Sequence, residues 1–383
     1  MPQKQRRRLK RRDAKDLRPV SEEEMRNLVR KKKADEEQAN EEQSDEEQSD
    51  EEWKNIPEKT RKIFAKYVLE DRGYQIIRFL GQGAYSTVYE CKNPQGEPVA
   101  AKVVMSNKDD IDGLVDLLTE VDAVADLAKM KPIDWDKYSD SFLESIALKA
   151  KGQAQTAKKR AEHYYKYINR PVNKGAYEYQ NGKKYYSIYE APIATMDAWT
   201  EFIEKKGPID YEEVKRMLDQ VLKALVFLHS HGRVHLDIKP QNILRGTKPN
   251  GKSLSQLSDM GLIDVVVGPD GTDNTANIRW KVTEWYKAPE QLDECILDPK
   301  QIYKIDIYSL GATLLQIYLS KKGEPAGNTR SQVVKLQAGT YIREEHSEIG
   351  RRLLHLLKKM TAKNPEDRPT ALEIFKDPFL SKK

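Results

Sequence analysis

From Tyr74 the stretch YQIIRFL mixes β-branched and aromatic residues and runs into the glycines of GQGAYSTVYE, which predicts a strand entering a turn. Beyond the turn Thr87, Tyr89 and Cys91 alternate with Val88 and Glu90, the period of two that marks a second strand. VAAKVV, around Lys102, reads as a third strand, and LLTEVDAV, around Glu120, as a helical stretch. From Asp210 the apolar positions Val214, Met217, Leu218, Val221, Leu222, Leu225 and Leu228 recur at three-and-four spacing, predicting an amphipathic helix that ends near Gly232. A strand-rich first part thus precedes a helical second part, an α+β arrangement.

Before Tyr74 this patterning disappears. Residues 1–33 are dominated by Lys and Arg, with Lys4, Arg6, Arg7, Arg8, Lys10, Arg11 and Arg12 followed by the cluster Arg30 to Lys33. Such a run stays solvated, and two readings stand: a tail without further role, or an import signal or contact for an anionic surface or nucleic acid. Next comes a five-residue repeat, EEQAN-EEQSD-EEQSD-EEWKN, over Glu36 to Asn55. A period of five matches neither the helix nor the heptad, so it spreads charge around a helix and builds no apolar seam. Ser44 and Ser49, each followed by acidic residues, resemble sites for acid-directed kinases. Residues 1–69 are therefore expected to be a disordered basic-then-acidic tail, dispensable for catalysis.

Composition sharpens the picture. The 383 residues fit one two-lobed domain, or two small ones, with a tail. Charged residues make up 33% of the chain and hydrophobic ones 38%, with a mean hydropathy of -0.78, which fits a very polar surface and a substantial unfolded part. The net charge of +5 hides the segregation of the two signs near the N-terminus. Cys91 and Cys295 are the only cysteines, far apart, so neither a disulfide scaffold nor a zinc site is indicated and a reducing compartment is expected. The chain is expected to span no membrane and to be cytoplasmic, with the nucleus left open by the basic run.

The chemistry gathers in a few short segments. Gly81-Gln82-Gly83-Ala84-Tyr85-Ser86-Thr87-Val88 is a glycine-rich turn that lets backbone N–H groups approach phosphate oxygens. Because β-formers follow it, a hairpin over a nucleotide is favoured over a helix-opening dinucleotide site. Lys102 in its apolar strand reads, taken singly, as a snorkelling surface lysine, or else as a buried one that needs an anionic partner, an ATP phosphate or a carboxylate such as Glu120. Just after the amphipathic helix stands His235-Leu236-Asp237-Ile238-Lys239-Pro240-Gln241-Asn242-Ile243-Leu244. This resembles the catalytic loop of eukaryotic-type serine/threonine protein kinases, in which an arginine usually stands where this chain has Leu236. Ser258-Asp259-Met260-Gly261, the triplet Ala288-Pro289-Glu290, KIDIYSLGATLLQIY around Asp306, and Arg368 then follow in the order of that family.

The resemblance implies a two-lobed fold, with a small β-rich N-lobe over residues 70–190 and a helical C-lobe over 191–383. It implies ATP and Mg2+ as cofactors and a protein Ser/Thr substrate as partner. Asp237 would orient the substrate hydroxyl and accept its proton, and Lys239 would neutralise charge on the transferred phosphoryl. Lys102, paired with Glu120, would position ATP. Asn242 and Asp259 would hold the metal. Leu80, Gly81, Gln82, Gly83, Ala84, Val88, Ala100, Glu190 as first hinge residue, and Leu244 would line the nucleotide. Asp306, Glu290 and Arg368 would brace the fold without doing chemistry. Lys239 and Thr283 favour Ser or Thr over Tyr as acceptor.

Departures from the family pattern are Ser86 for the third glycine, Met260 for a phenylalanine, and Leu236. An extra stretch, roughly Lys129 to Arg170, is rich in helix formers and reads as a helical insertion in the N-lobe. The alternatives are a pseudokinase or nucleotide-binding scaffold, which intact Lys102, Asp237, Asn242 and Asp259 oppose, and a small-molecule kinase, which Ala288-Pro289-Glu290 opposes. Leu236 offers no charge to a phosphate on Thr272, Thr275 or Thr283, so activity without activation-segment phosphorylation is expected.

Overall fold

The computed structural model describes residues 18–21, 23–28, 30–31, 58–82, 86–107, 117–118, 167–169, 172–179, 184–192, 197–199, 210–247, 251, 253–260, 264–266, 284–292, 299–320, 328–340 and 347–381. These fall into two compact units, one holding the described residues up to 118 together with 172–192, the other holding 167–169 and everything from 197 onward. The α+β, two-lobed expectation is met: the first unit is built on a sheet and the second is mainly helical.

The first unit is an antiparallel six-stranded sheet formed by β1 (Arg18–Val20), β2 (Gln75–Gln82), β3 (Ser86–Lys92), β4 (Pro98–Asn107), β5 (Val172–Tyr179) and β6 (Lys184–Pro192). Their order across the sheet is β1-β5-β6-β4-β3-β2. Strand alternation sends successive side chains to opposite faces, and each face has its own apolar cluster. On one face Ala101, Val103, Met105, Tyr89, Cys91, Tyr186 and Ile188 pack against helix α1 (Glu58–Asp71) through Ala65, Val68 and Leu69. The helix stops at Gly73, whose φ of 83° suits a residue without Cβ and lets the Tyr74 N–H return to the Leu69 carbonyl at 2.9 Å. On the other face Val104, Tyr185 and Tyr189 pack with Val20, Met25, Leu117 and Leu118.

Two segments of the expected tail thus belong to the folded unit. Arg18–Val20 adds an edge strand to β5, with Val20 opposite Ala176, and helical residues follow it at 23–28 and 30–31. The boundary drawn at residue 69 falls inside α1. Residues 32–57, which hold the repeat, lie outside the described residues.

In the second unit, α2 (Tyr211–Ser230) starts where the sequence places it. Asp210 caps it by accepting from the backbone N–H groups of Glu212 and Glu213, and all seven predicted apolar positions are buried. Around it stand a three-stranded sheet of β7 (Asp197–Ala198), β9 (Ile243–Thr247) and β10 (Ser253–Leu257) and a pair made of β8 (Arg233–Val234) and β11 (Asp264–Val265). Helix α3 (Pro299–Leu319) is apolar nearly all round and buried along most of its length, as a central core helix must be. It is flanked by α4 (Thr329–Gln337) and α5 (Glu348–Met360). Gly311 of α3 allows their close approach, since a Cβ there would lie 2.8 Å from the Met360 Cβ.

Most of the expected insertion, residues 129–166, lies outside the described residues. Its end is described and corrects the assignment to the N-lobe. Ile168 bridges Leu257, and the Asn169 N–H donates to the Leu257 carbonyl at 2.8 Å, so the chain is fastened there to the second unit. Among the described residues no helix is long and apolar enough to cross a membrane.

Candidate active site

The loop between β8 and β9 carries the residues with reactive groups, and the buried carboxylate of Asp306 shapes it. Asp306 Oδ2 accepts the His235 N–H at 2.9 Å and Oδ1 accepts the Leu236 N–H at 2.9 Å. His229, in the last turn of α2, places Nε2 2.9 Å from Oδ2 of the same carboxylate. These charge-assisted bonds hold Leu236 in the left-handed region at φ 68°, a conformation that costs a non-glycine residue roughly 1–2 kcal/mol. Leu236 is fully buried, so its apolar side chain is packed and presents no donor at the surface.

The turn aims Asp237 at two neighbours. Its Oδ2 accepts from Lys239 Nζ at 2.6 Å and from Asn242 Nδ2 at 2.9 Å, while Asn242 Nδ2 also donates to the Asp237 carbonyl at 2.8 Å. With its N–H bonds spent on Asp237, Asn242 offers Oδ1 as the oxygen with which it can meet a cation. The backbone extends this frame: the Ser258 N–H and Oγ–H both donate to the Asn242 carbonyl, at 2.8 and 3.0 Å. His235 Nε2–H donates to the Ser258 carbonyl at 3.0 Å and its Nδ1 accepts the Asp237 N–H at 3.3 Å. Asp259 follows directly, exposed and also left-handed at φ 64°, and Met260 beside it is buried at 1% exposure.

Bracing residues surround this centre. Glu290 and Arg368 form a buried two-pronged pair, Nη1 to Oε1 at 2.5 Å and Nη2 to Oε2 at 2.7 Å. The remaining Arg368 N–H groups reach the carbonyls of Ala362, Lys363 and Lys304, so all five guanidinium donors are used. Tyr286 donates to Gln316 and receives Ser309 Oγ–H on its carbonyl at 3.0 Å. Burial pushes the Tyr286 phenol up to about 12, and the negative charge of Asp237 adds to the effect.

In the first unit Lys102 is half-buried on β4, opposite Val88 on β3 and Tyr189 on β6. Val88, Ala100 and Lys102 share one face by alternation and register, and Leu80, Gly81 and Gln82 end β2 beside them. The predicted hairpin is present, while its tip, Gly83, Ala84 and Tyr85, lies outside the described residues, as does Glu120. Among the described residues, Glu190 is a predicted nucleotide contact whose side chain is committed elsewhere. It points to the α1 face and accepts from Tyr74 Oη at 2.6 Å and Asn93 Nδ2 at 3.4 Å, with Lys174 Nζ 3.4 Å away. On the Lys102 side it has only its backbone to offer. Leu244 sits half-buried on β9, opposite Gln256.

Sequence reasoning passed over His229, which lies four residues beyond Leu225 on the buried side of α2, a weak sign that its ring faces inward. It also gives no role to Ser258, Gln316 and Tyr286, whose contacts join separate segments of the chain.

Comparison with known proteins matches residues 170–380, more than half of the chain, to the family described as protein kinase domain. The chain is 27% identical over 311 residues to serine/threonine-protein kinase 17A of Oryctolagus cuniculus, covering 79% of this chain and 65% of the relative. It is 23% identical over 314 residues to serine/threonine-protein kinase ppk11 of Schizosaccharomyces pombe, covering 82% of this chain and 83% of the relative. With serine/threonine-protein kinase BCK1/SLK1/SSP31 of Saccharomyces cerevisiae it shares 30% identity over 216 residues, covering 52% of this chain and only 13% of that longer protein. The catalytic loop anchored on Asp306, the buried Glu290–Arg368 pair and this family match agree, and the chain belongs to the protein kinase domain family.

Proposed function

We propose that the protein transfers the γ-phosphoryl group of ATP to Ser or Thr hydroxyls of protein substrates, with Mg2+ as the metal. The observation that carries this reading is the Asp237 carboxylate held between Lys239 Nζ at 2.6 Å and Asn242 Nδ2 at 2.9 Å. A carboxylate fixed in this way can orient a hydroxyl and accept its proton, and the neighbouring ammonium lowers the charge that develops on the phosphoryl. Asn242 and Asp259 supply hard oxygen donors, the type that Mg2+ takes, and a metal there would neutralise phosphate charge. Val88, Ala100 and Lys102 on one face of the sheet fit a nucleotide, with Lys102 as phosphate partner and Glu120 as the carboxylate that orients it. Leu80 to Ala84 would supply backbone N–H groups from the hairpin, Glu190 its backbone, and Leu244 an apolar contact. Acceptance of Ser or Thr follows from Lys239 in the loop. The basic run in residues 1–33 is assigned an accessory contact with nucleic acid, an import receptor or an anionic surface, outside catalysis.

The test is label transfer from γ-labelled ATP to a mixed protein panel and a small-molecule panel, as Mg2+ is titrated against chelator. Phosphoserine and phosphothreonine on protein, appearing only with the metal, are expected. ATP binding without transfer would establish the scaffold alternative, and label confined to a small molecule would overturn the choice of substrate.

A further inference from the structure

Tyr74 follows directly on the turn that ends α1, and its backbone and side chain are held by different elements. Its N–H returns to the Leu69 carbonyl at 2.9 Å, and its phenol donates to Glu190 Oε1, near the end of β6, at 2.6 Å. The other carboxylate oxygen, Oε2, accepts from Asn93 Nδ2 at 3.4 Å and faces Lys174 Nζ at 3.4 Å. Asn93 is itself fixed, because its Oδ1 accepts the Gln95 and Glu97 N–H groups at 3.1 and 2.9 Å and so shapes the turn between β3 and β4. Glu190, Tyr74 and Asn93 are all buried, a setting in which bonds to a charged group are strong and an unpaired charge is costly. Burial first, and then the bond to Glu190, raises the Tyr74 phenol above its ordinary pKa, which keeps it a donor. Glu190 lies opposite Ala101 of β4, one place from the pair Ala100–Ala191, and Ala100 shares its face with Lys102 and Val88. The Glu190 side chain thus anchors β6 from the α1 face, at the level where the opposite face carries the nucleotide contacts assigned above.

We propose that Tyr74 is a positioning residue for nucleotide binding. Its hydroxyl locks the Glu190 side chain, with Asn93 as a second clamp, and so fixes the β6 backbone beside Ala100. The inference rests on the assignment of the Glu190 backbone and the Ala100 face to ATP. It gives the seating of α1 a functional consequence, because the chain leaves that helix directly into Tyr74 and a shift of the helix reaches the end of β6 through one bond. No reacting group is touched, so the effect falls on ATP affinity and not on the chemical step.

The experiment is a double-mutant cycle in the full chain, Tyr74→Phe against Glu190→Gln, reading KM for ATP, kcat at saturating ATP and thermal unfolding. Tyr74→Phe removes one hydroxyl and keeps the ring in its apolar cluster, and Glu190→Gln removes the charge at nearly constant volume. Each alone is expected to raise KM for ATP about fivefold, with kcat within about twofold of wild type. The double variant is expected to be no worse than the larger single loss. Tyr89→Phe is the control, since its phenol ties β3 to α1 through the Lys62 carbonyl at 3.2 Å and its bond does not involve Glu190. It is expected to leave KM within about twofold of wild type. An unchanged KM for Tyr74→Phe, an equal rise for Tyr89→Phe, or losses that multiply fully in the double variant would overturn the positioning role. Ala100→Phe fills the face on which the nucleotide is placed and is expected to abolish saturation by ATP. If that variant kept the wild-type KM, the placement of ATP beside β6 would fall instead, so the two failures are told apart.

Discussion

Asp306→Asn isolates the bonds that hold the catalytic loop while barely changing side-chain volume. In the native protein the Asp306 carboxylate accepts the His235 and Leu236 N–H groups, each at 2.9 Å, and faces His229 Nε2 at 2.9 Å. An asparagine keeps one acceptor oxygen and turns an NH2 toward one of the two backbone donors, so one bond becomes a donor–donor contact. Hydrogen bonds to a charged group contribute roughly 1.5–3 kcal/mol each, and an orphaned buried donor costs about 1–3 kcal/mol. The Leu236 conformation, at φ 68°, stores a further 1–2 kcal/mol or so that the carboxylate no longer offsets. The ordered loop should therefore lose about 3 kcal/mol, which reduces the competent population and kcat by up to about 100-fold. The assay is steady-state transfer with saturating ATP, paired with thermal unfolding, where a lowering of about 6–12 °C is expected. A variant with kcat within about twofold of wild type would refute the reasoning, since the loop would then be held by something other than Asp306.

Arg368→Lys replaces five directed donors by three on a flexible stem, and with Glu290 left buried it should cost about 3 kcal/mol in urea unfolding; an unchanged midpoint would contradict this. Burial alone would raise the Glu213 carboxyl, but Arg216 and Arg245 outweigh it and hold its pKa below the ordinary carboxylate value. A depressed pKa gives stability that is present above the unfolded-state pKa and is lost as pH falls through the folded one, so Glu213→Gln should destabilise at neutral pH, and its difference from wild type should shrink as the pH is taken down below the ordinary carboxylate range. A difference independent of pH would contradict that assignment. Phosphatase-treated enzyme with Thr272→Ala and Thr275→Ala should stay within about tenfold of wild type, because buried Leu236 cannot pair with a phosphate; a loss of about 100-fold would show another basic group in that role.

The parts of this protein that a reader of the sequence can find are those whose signal is local. Helix α2 announces itself through apolar spacing and the Asp210 cap, and the β2–β3 hairpin through alternation around glycines. Asp237, Lys239 and Asn242 lie within one short segment, so their order in the chain already suggests their meeting. The contacts that escaped notice are non-local. Nothing near His229 indicates that its ring meets a carboxylate on α3, and nothing near Glu190 indicates Tyr74 and Asn93. Charge dominates the composition of the first residues and hides the apolar positions Val20, Met25 and Leu28, which fold against the sheet. Helix α1 was lost the same way. Ala65, Val68 and Leu69 form a narrow apolar stripe among lysines, and only the sheet face waiting for it gives the stripe its meaning.

The most direct test of the central claim is a single-turnover measurement of phosphoryl transfer from ATP to a Ser/Thr protein substrate, comparing wild type with Asp237→Asn, Asp259→Asn and Lys102→Met. Wild-type protein is expected to form phosphoserine or phosphothreonine in the presence of Mg2+. Each variant should lose at least about 100-fold in rate while unfolding at nearly the wild-type temperature, because each removes a positioning charge and little packing. Wild-type rates in all three variants, or no transfer by the wild-type protein, would contradict the assignment of this chain as an active protein kinase.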